Sequence, residues 1–68
     1  MFELFKLLDA SAHITHAVVI NDSILFVHNG TQITLKATLV EGIYDMYEEG
    51  VYMEAMTEKE IISKFQLK

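Results

Sequence analysis

The sequence predicts an α+β fold: an N-terminal helix, a three- to four-stranded, mainly antiparallel sheet, and two short C-terminal helices. Three observations support this prediction. Apolar residues recur at helical spacing at the start of the chain, β-branched residues and turn signals fill its middle, and helical spacing returns after residue 40. The 68 residues contain no proline and no low-complexity segment, so we expect one small domain spanning residues 1–68.

Residues 2–10 form the first predicted helix. Its apolar stripe comprises Met1, Leu4, Phe5 and Leu8. The polar side carries a single lysine, so we expect the stripe to face the protein core rather than a membrane surface. The N-terminus lacks the basic region of a signal peptide, and no apolar run approaches the roughly 20 residues of a spanning helix. These features predict a cytoplasmic protein that does not bind membranes.

The middle of the chain predicts three strands, in the segments ITHAVVI (14–20), SILFVH (23–28) and TQITLKATLV (31–40). Asn29-Gly30 is the preferred pair for a two-residue type I′ turn, which places His28 opposite Thr31 and Ile24 opposite Leu35. The β-hairpin around Asn29-Gly30 is the strongest local signal in the sequence.

Asn21-Asp22 is a weaker turn signal of the same length. A two-residue turn there places Val19 opposite Ile24 and Ala17 opposite Phe26. One face of the sheet is then an apolar core face, comprising Ala17, Val19, Ile24, Phe26, Ile33 and Leu35.

The second face of the predicted sheet is also apolar in part, through Val18, Ile20, Leu25 and Val27. The whole chain is apolar for its size, with 51% hydrophobic residues and a mean hydropathy of +0.26. Two interpretations remain open: these four residues form a homodimer interface, or the C-terminal helix folds over them.

Residues 41–49 predict a helix that ends at Gly50, with Ile43, Met46 and Tyr47 on its apolar side. Residues 51–56 alternate and predict a fourth strand, although a continued helix remains an alternative. The last predicted helix begins with the capping box of Thr57 and Glu60, and its buried stripe comprises Ile61, Ile62 and Phe65.

The charge of the chain indicates which partners it can bind. The net charge is −5, from 10 acidic residues against 5 lysines and no arginine. Nucleic-acid binding uses clustered Lys and Arg, so we expect no direct nucleic acid binding and favour a protein partner with a basic surface.

In the predicted helix 41–49 the acidic residues share one side, which is either a solvated face that keeps the protein soluble or a partner-binding surface that mimics nucleic-acid phosphates. Tyr44 lies at its boundary, and Tyr52, if it faces outward, adds a second aromatic anchor. The predicted partner-binding residues are Glu41, Asp45, Glu48, Glu49, Tyr44 and Tyr52.

The chain carries no recognisable catalytic motif. It contains no cysteine, its serines stand outside nucleophile motifs, and its glycines at positions 30, 42 and 50 form no phosphate loop. His13 and His16 have a spacing that suits a metal on a helix, but His16 falls in a predicted strand, where this spacing separates the side chains. We therefore predict no enzyme activity, no cofactor and no metal site.

These observations predict a non-catalytic, acidic protein–protein interaction module that inhibits or adapts a larger basic, nucleic-acid-processing protein. A phage or mobile-element anti-defence protein is one concrete version. Two alternatives remain: a structural subunit of a larger assembly, and a small metal- or ligand-binding module that uses the histidines His13, His16 or His28.

Overall fold

The computed structural model describes residues 1–67, which form two helices and five strands. In chain order these are α1 (Phe2–Asp9), β1 (Ile14–Ile20), β2 (Ser23–His28), β3 (Thr31–Ala37), β4 (Ile43–Glu48), β5 (Val51–Thr57) and α2 (Glu58–Lys64). The predicted α+β class and the N-terminal helix are confirmed. The element counts differ, since there are five strands in place of three or four and one C-terminal helix in place of two.

The five strands form one antiparallel sheet in which each strand pairs with its neighbours along the chain. Strands β1 and β5 are therefore the two edges. Asn29 and Gly30 have φ values of 52° and 77°, as a type I′ turn requires, and the predicted register of His28 with Thr31 and Ile24 with Leu35 is confirmed.

Strand β1 departs from the predicted register at its first half. Val19 lies opposite Ile24 as predicted, but the pairing of Ala17 with Phe26 is wrong because the register shifts between Thr15 and Val18. His16 lies within this shift and has a φ of 57°, which marks a β-bulge.

The predicted helix over residues 41–49 is wrong, because the chain forms strand β4 at 43–48. Its buried residues alternate, with Tyr44 and Met46 facing the core. Glu49 and Gly50, with φ values of 51° and 84°, then form a second two-residue turn that joins β4 to β5. The spacing of Ile43, Met46 and Tyr47 fits a helix, but six residues are too few to distinguish the two periods.

Both helices pack on the same face of the sheet. The buried cluster joins Leu4 and Leu8 of α1 and Ile61 of α2 with side chains from all five strands. Phe65, just after α2, meets Phe26 of β2 edge-on, with ring centroids 5.3 Å apart. This face contains the hydrophobic core. Of the six predicted core-face residues, four are buried there, Ala17 is half-buried against the core, and Val19 lies opposite Ile24 but is 38% exposed; the four are Ile24, Phe26, Ile33 and Leu35.

The predicted capping box at the start of α2 is confirmed. The Glu60 N–H donates to Thr57 Oγ1 at 3.1 Å, and the Thr57 N–H donates to Glu60 Oε1 at 2.8 Å. Thr57 is also the last residue of β5, so the chain passes from strand to helix without a loop. This direct connection places α2 against the core face beside β5.

Candidate protein-binding surfaces

The outer face is the side of the sheet turned away from both helices. Successive strand partners define one row across it, which runs Val18, Leu25, Thr34, Tyr47 and Tyr52. Each residue of this row is half-buried or exposed, whereas their neighbours on the core face are mostly buried. The outer face therefore crosses all five strands without a covering layer from residues 1–67.

The four residues predicted as a dimer interface lie together at one end of the outer face. Val18 and Ile20 of β1 are 42% and 51% exposed, and Leu25 and Val27 of β2 are half-buried. The alternative in which the C-terminal helix covers them is wrong, because α2 and Phe65 pack on the opposite face. Whether a second copy binds there remains a prediction.

The predicted acidic surface on one side of a helix is wrong, since the four carboxylates point in different directions. Asp45 lies on the outer face opposite Lys36, whereas Glu48 lies on the core face opposite Ile33. Glu41 is exposed in the loop before β4. Glu49 lies in the β4–β5 turn, where its Oε2 accepts a hydrogen bond from the Gln32 N–H at 3.1 Å.

The two tyrosines predicted as partner anchors have opposite settings. Tyr44 is buried, and its hydroxyl donates to Glu58 Oε2 at 3.4 Å, so the expectation of an exposed anchor at Tyr44 is wrong. Burial, followed by the negative charge and hydrogen bond of Glu58 and the charge of Glu41, raises the pKa of Tyr44 above its ordinary value of 10.0. Tyr52 is 53% exposed, as an anchor requires.

The β4–β5 hairpin, residues 43–57, which we call the acidic hairpin, is a negatively charged part of the sheet with carboxylates on both faces and in its turn. It carries the carboxylates Asp45, Glu48, Glu49 and Glu54 and no lysine. Val51, Tyr52 and Met53 follow its turn, and all three are exposed. The acidic hairpin thus combines negative charge with exposed apolar and aromatic side chains at the β5 edge of the sheet.

Sequence reasoning missed Val51 and Met53 as surface residues. The signal was present, because Glu49-Gly50 occupies the same position between two alternating segments as Asn29-Gly30 does between β2 and β3. Glutamate is an uncommon residue at the first position of a type I′ turn, so the turn signal at Glu49-Gly50 is weak. The helical spacing of the apolar residues in β4 is the stronger signal, and it favours a helix over the hairpin.

Tyr52 is held in place by a neighbouring ring. The rings of Tyr47 and Tyr52 meet edge-on, with centroids 5.7 Å apart and planes at 72°. Such pairs favour one side-chain arrangement over others.

Two concave regions accompany these surfaces. The larger, of about 680 Å³, lies between the 38–42 loop, Met1 and the start of α2. The Thr38 hydroxyl donates to the Ile43 carbonyl at 2.9 Å and accepts from the Val40 N–H at 3.2 Å, which fixes the shape of this loop. The second, of about 410 Å³, lies between the end of α1 and Leu67, with His13 at its margin.

The three histidines lie in different parts of the fold. His13 precedes β1, His16 lies at the bulge of β1, and His28 ends β2 with its ring 5.0 Å from that of Phe65. Within residues 1–67, no three side chains of the metal-ligating types His, Cys, Asp and Glu come together.

Neither α1 nor α2 has the length and apolar character that a membrane-crossing helix needs. Comparison of the chain with protein-family models, with curated proteins and with solved structures gave no match. The fold and the two surfaces described above are therefore the basis of the functional argument.

Proposed function

We propose that this protein is a non-catalytic, acidic protein–protein interaction module that inhibits or adapts a larger protein with a basic surface. The observation that carries the proposal is the uneven distribution of charge along the sheet. Seven of the ten carboxylates lie between residues 41 and 60, a segment with Lys59 as its only lysine. That segment contains β4, β5 and most of α2, so the negative charge is concentrated at the β5 side of the molecule.

A surface of this composition favours a basic partner for two reasons. Negative charge at the β5 side attracts a positive surface and repels an acidic one, which increases both the association rate and the selectivity. Exposed Val51, Tyr52 and Met53 supply apolar area inside the charged surroundings, and aromatic residues and methionine are enriched at the centres of protein interfaces.

Nucleic-acid-processing enzymes are the partner class that this chemistry fits best, since their substrate grooves are lined with Lys and Arg. A small acidic protein that occupies such a groove blocks the substrate. A phage or mobile-element inhibitor of a host defence enzyme is the concrete version that we propose. This version depends on the size and the charge of the chain.

The proposal that the protein is not an enzyme is supported by the solvent exposure of its carboxylates. General acid catalysis needs a carboxylate that a pocket removes from water. Every carboxylate in residues 1–67 is exposed or half-buried. We assign these groups to partner attraction and solubility.

We also propose that the protein is a homodimer through the apolar end of its outer face, at Val18, Ile20, Leu25 and Val27. The supporting observation is that α1 and α2 both pack on the core face and leave these side chains accessible. Apolar side chains left outside a small core are a common basis for self-association.

The test of partner capture uses two variants with equal changes in charge. The first is the triple variant Asp45→Asn, Glu48→Gln and Glu49→Gln in the acidic hairpin. The matched control, Glu3→Gln, Asp9→Asn and Asp22→Asn, removes three charges from α1 and the β1–β2 turn. Each tagged protein is used in a pull-down from a lysate of its native host, read by mass spectrometry at low and high salt.

We expect the wild type and the control to retain a basic protein at low salt, and the hairpin variant to lose it. High salt should release the same protein, because screening weakens contacts between exposed charges. If the hairpin variant captures the partner as well as the control does, the carboxylates serve only solubility and the proposal fails.

Two other functions remain as alternatives with distinct tests. A structural subunit of a larger assembly would hold its neighbours through apolar contacts, so high salt would not release them. A small metal- or ligand-binding module is favoured by the position of His13 beside the 410 Å³ region. Zinc would then raise the melting temperature of the protein, and this rise would disappear with a chelator.

A further inference from the structure

The free side of strand β1 lacks the usual protection of a sheet edge after its bulge at His16. Natural edge strands use lysine, proline, inward-pointing charges or β-bulges to prevent pairing with another chain. Strand β1 (Ile14–Ile20) contains no lysine, proline, aspartate or glutamate. Its last three residues, Val18, Val19 and Ile20, are all β-branched and are 42%, 38% and 51% exposed. They form an uncharged segment that favours strand pairing.

The register of the sheet determines which backbone groups of β1 are free. The His28–Thr31 pair closes the type I′ hairpin, and counting back from His28 every second residue of β2 forms its backbone hydrogen bonds with β3. In agreement with this pattern, the Asp22 carbonyl accepts from the Ala37 N–H at 2.9 Å. The intervening residues of β2, Ser23 and Leu25, therefore bond to β1. Their partners there are Ile20 and Val18. Val19, between these two, directs its N–H and C=O to the free side.

The free backbone groups of one β1 strand can pair with the same groups of a second copy. When two copies of β1 lie antiparallel with Val19 opposite Val19, each Val19 N–H can donate to the carbonyl of the other, and Val18 of one copy lies opposite Ile20 of its partner. A twofold axis through this pair gives the isologous contact of a closed dimer. The bulge at His16 (φ 57°) and the turn at Asn21 (φ 55°) confine regular pairing to the residues between them.

Charge favours a second copy at β1 and disfavours it at β5. Two chains of net charge −5 repel each other, and they approach with least repulsion where neither carries charge near the contact. Strand β1 itself carries no Lys, Asp or Glu, and one carboxylate, that of Asp22, lies in its adjoining turn. At the β5 edge, Glu54 is exposed on the strand and Glu49 lies in the adjoining turn, so two copies would bring like charges together.

We propose that two copies of this protein pair through strand β1, with Val19 on the twofold axis, and form one continuous ten-stranded antiparallel sheet from their five strands each. This inference rests on the proposed homodimer and specifies its geometry. The Val18, Ile20, Leu25 and Val27 side chains of both copies then form one apolar strip on the outer face. Both β5 edges, with their acidic hairpins, remain free at opposite ends of the sheet.

The decisive variant is Val19→Pro, which removes the N–H directed to the free side and leaves the bonds between β1 and β2 in place. Proline is tolerated on edge strands for this reason. The matched control is Val19→Thr, which keeps both the β-branched shape and the N–H. Far-UV circular dichroism checks that each variant retains the fold.

Sedimentation equilibrium measures the dissociation constant of the dimer, whose mass is twice the 7.8 kDa of one chain. We expect the constant to rise about tenfold or more in Val19→Pro, because two reciprocal hydrogen bonds are lost, and to stay nearly unchanged in Val19→Thr. A Val19→Pro variant that dimerises like the wild type overturns the proposal.

A second measurement decides the question if Val19→Pro does not fold. Amide hydrogen exchange of the wild type, followed by NMR at two protein concentrations, reports the Val19 N–H directly. We expect its protection to increase at the concentration at which the dimer forms, and exchange that is equally fast in monomer and dimer overturns edge pairing.

The variants Leu25→Glu and Val27→Glu distinguish edge pairing from face-to-face packing of the two outer faces. If they produce a monomer while Val19→Pro remains a dimer, the edge geometry is wrong and the proposed homodimer stands. A wild type that stays monomeric overturns both dimer proposals. Partner capture by the acidic hairpin is judged separately, from the pull-down.

Discussion

Replacing Phe65 by leucine tests the contact that fastens the end of α2 to the sheet. The Phe65 side chain is 2% exposed, and its ring meets Phe26 at 5.3 Å and His28 at 5.0 Å, both edge-on. Leucine keeps most of the apolar burial but loses both ring contacts. Aromatic pairs contribute about 0.5–1.5 kcal/mol each, so the two together predict a loss of about 1–3 kcal/mol in the free energy of unfolding.

This loss is a large fraction of the total stability of so small a protein. At about 0.05–0.15 kcal/mol per residue, a chain of 68 residues has a total stability of about 3–10 kcal/mol. We expect the melting temperature to fall by about 4–8 °C for each kcal/mol lost. Urea denaturation followed by far-UV circular dichroism measures the free energy, and an unchanged denaturant slope shows that the same surface is exposed on unfolding.

Phe2→Leu is the matched control, because it makes the same chemical change at a phenylalanine that is 67% exposed. Phe2 stacks on Phe5 at 6.5 Å, and the Lys6 Nζ lies 5.3 Å from its ring centroid, both at the surface, so we expect a smaller loss, below about 1 kcal/mol. Equal losses in the two variants, or a loss below about 0.5 kcal/mol in Phe65→Leu, would show that Phe65 does not hold α2 against the core face.

Two further predictions concern the ends of β5 and β4. Thr57→Ala should lower the free energy of unfolding by about 1 kcal/mol in urea denaturation, because α2 loses its N-cap. Thr57→Ser keeps the capping hydroxyl and should keep the wild-type stability. Equal losses of stability in the two variants would contradict the capping role. The raised pKa of Tyr44 means that the folded state keeps this proton at pH values where the unfolded chain has released it. Wild-type stability should therefore be complete below pH 10.0 and fall as the pH rises further, more steeply than in Tyr44→Phe; parallel pH profiles of the two proteins would contradict this.

Much of the fold was predictable from local sequence signals. Asn29-Gly30 determined the register of β2 with β3, because both residues of its turn adopt positive φ. The capping box at Thr57 determined where α2 begins, and the apolar stripe of α1 indicated which of its residues are buried. Each of these signals acts within a few residues, so no distant contact was needed to read it.

The prediction failed over residues 41–49, where two periodicities coincide. Ile43, Met46 and Tyr47 suit a helix, whereas Tyr44 and Met46 on either side of Asp45 suit a strand. Pairing with β3 decided between them, because it gives the backbone of β4 a hydrogen-bonded neighbour that a short isolated helix lacks. The acidic surface moved with this change from one side of a helix to the β4–β5 hairpin.

By itself, the sequence determined the charge of the chain, the α+β class, the central hairpin and both apolar faces of the sheet, since composition and short-range spacing are sufficient for these. Only the tertiary structure decided that both helices pack on one face, that β1 and β5 are the edges, and that β1 is the uncharged one. These properties depend on how the successive hairpins join into one sheet and on which face receives the two helices from opposite ends of the chain, and no short-range pattern encodes either.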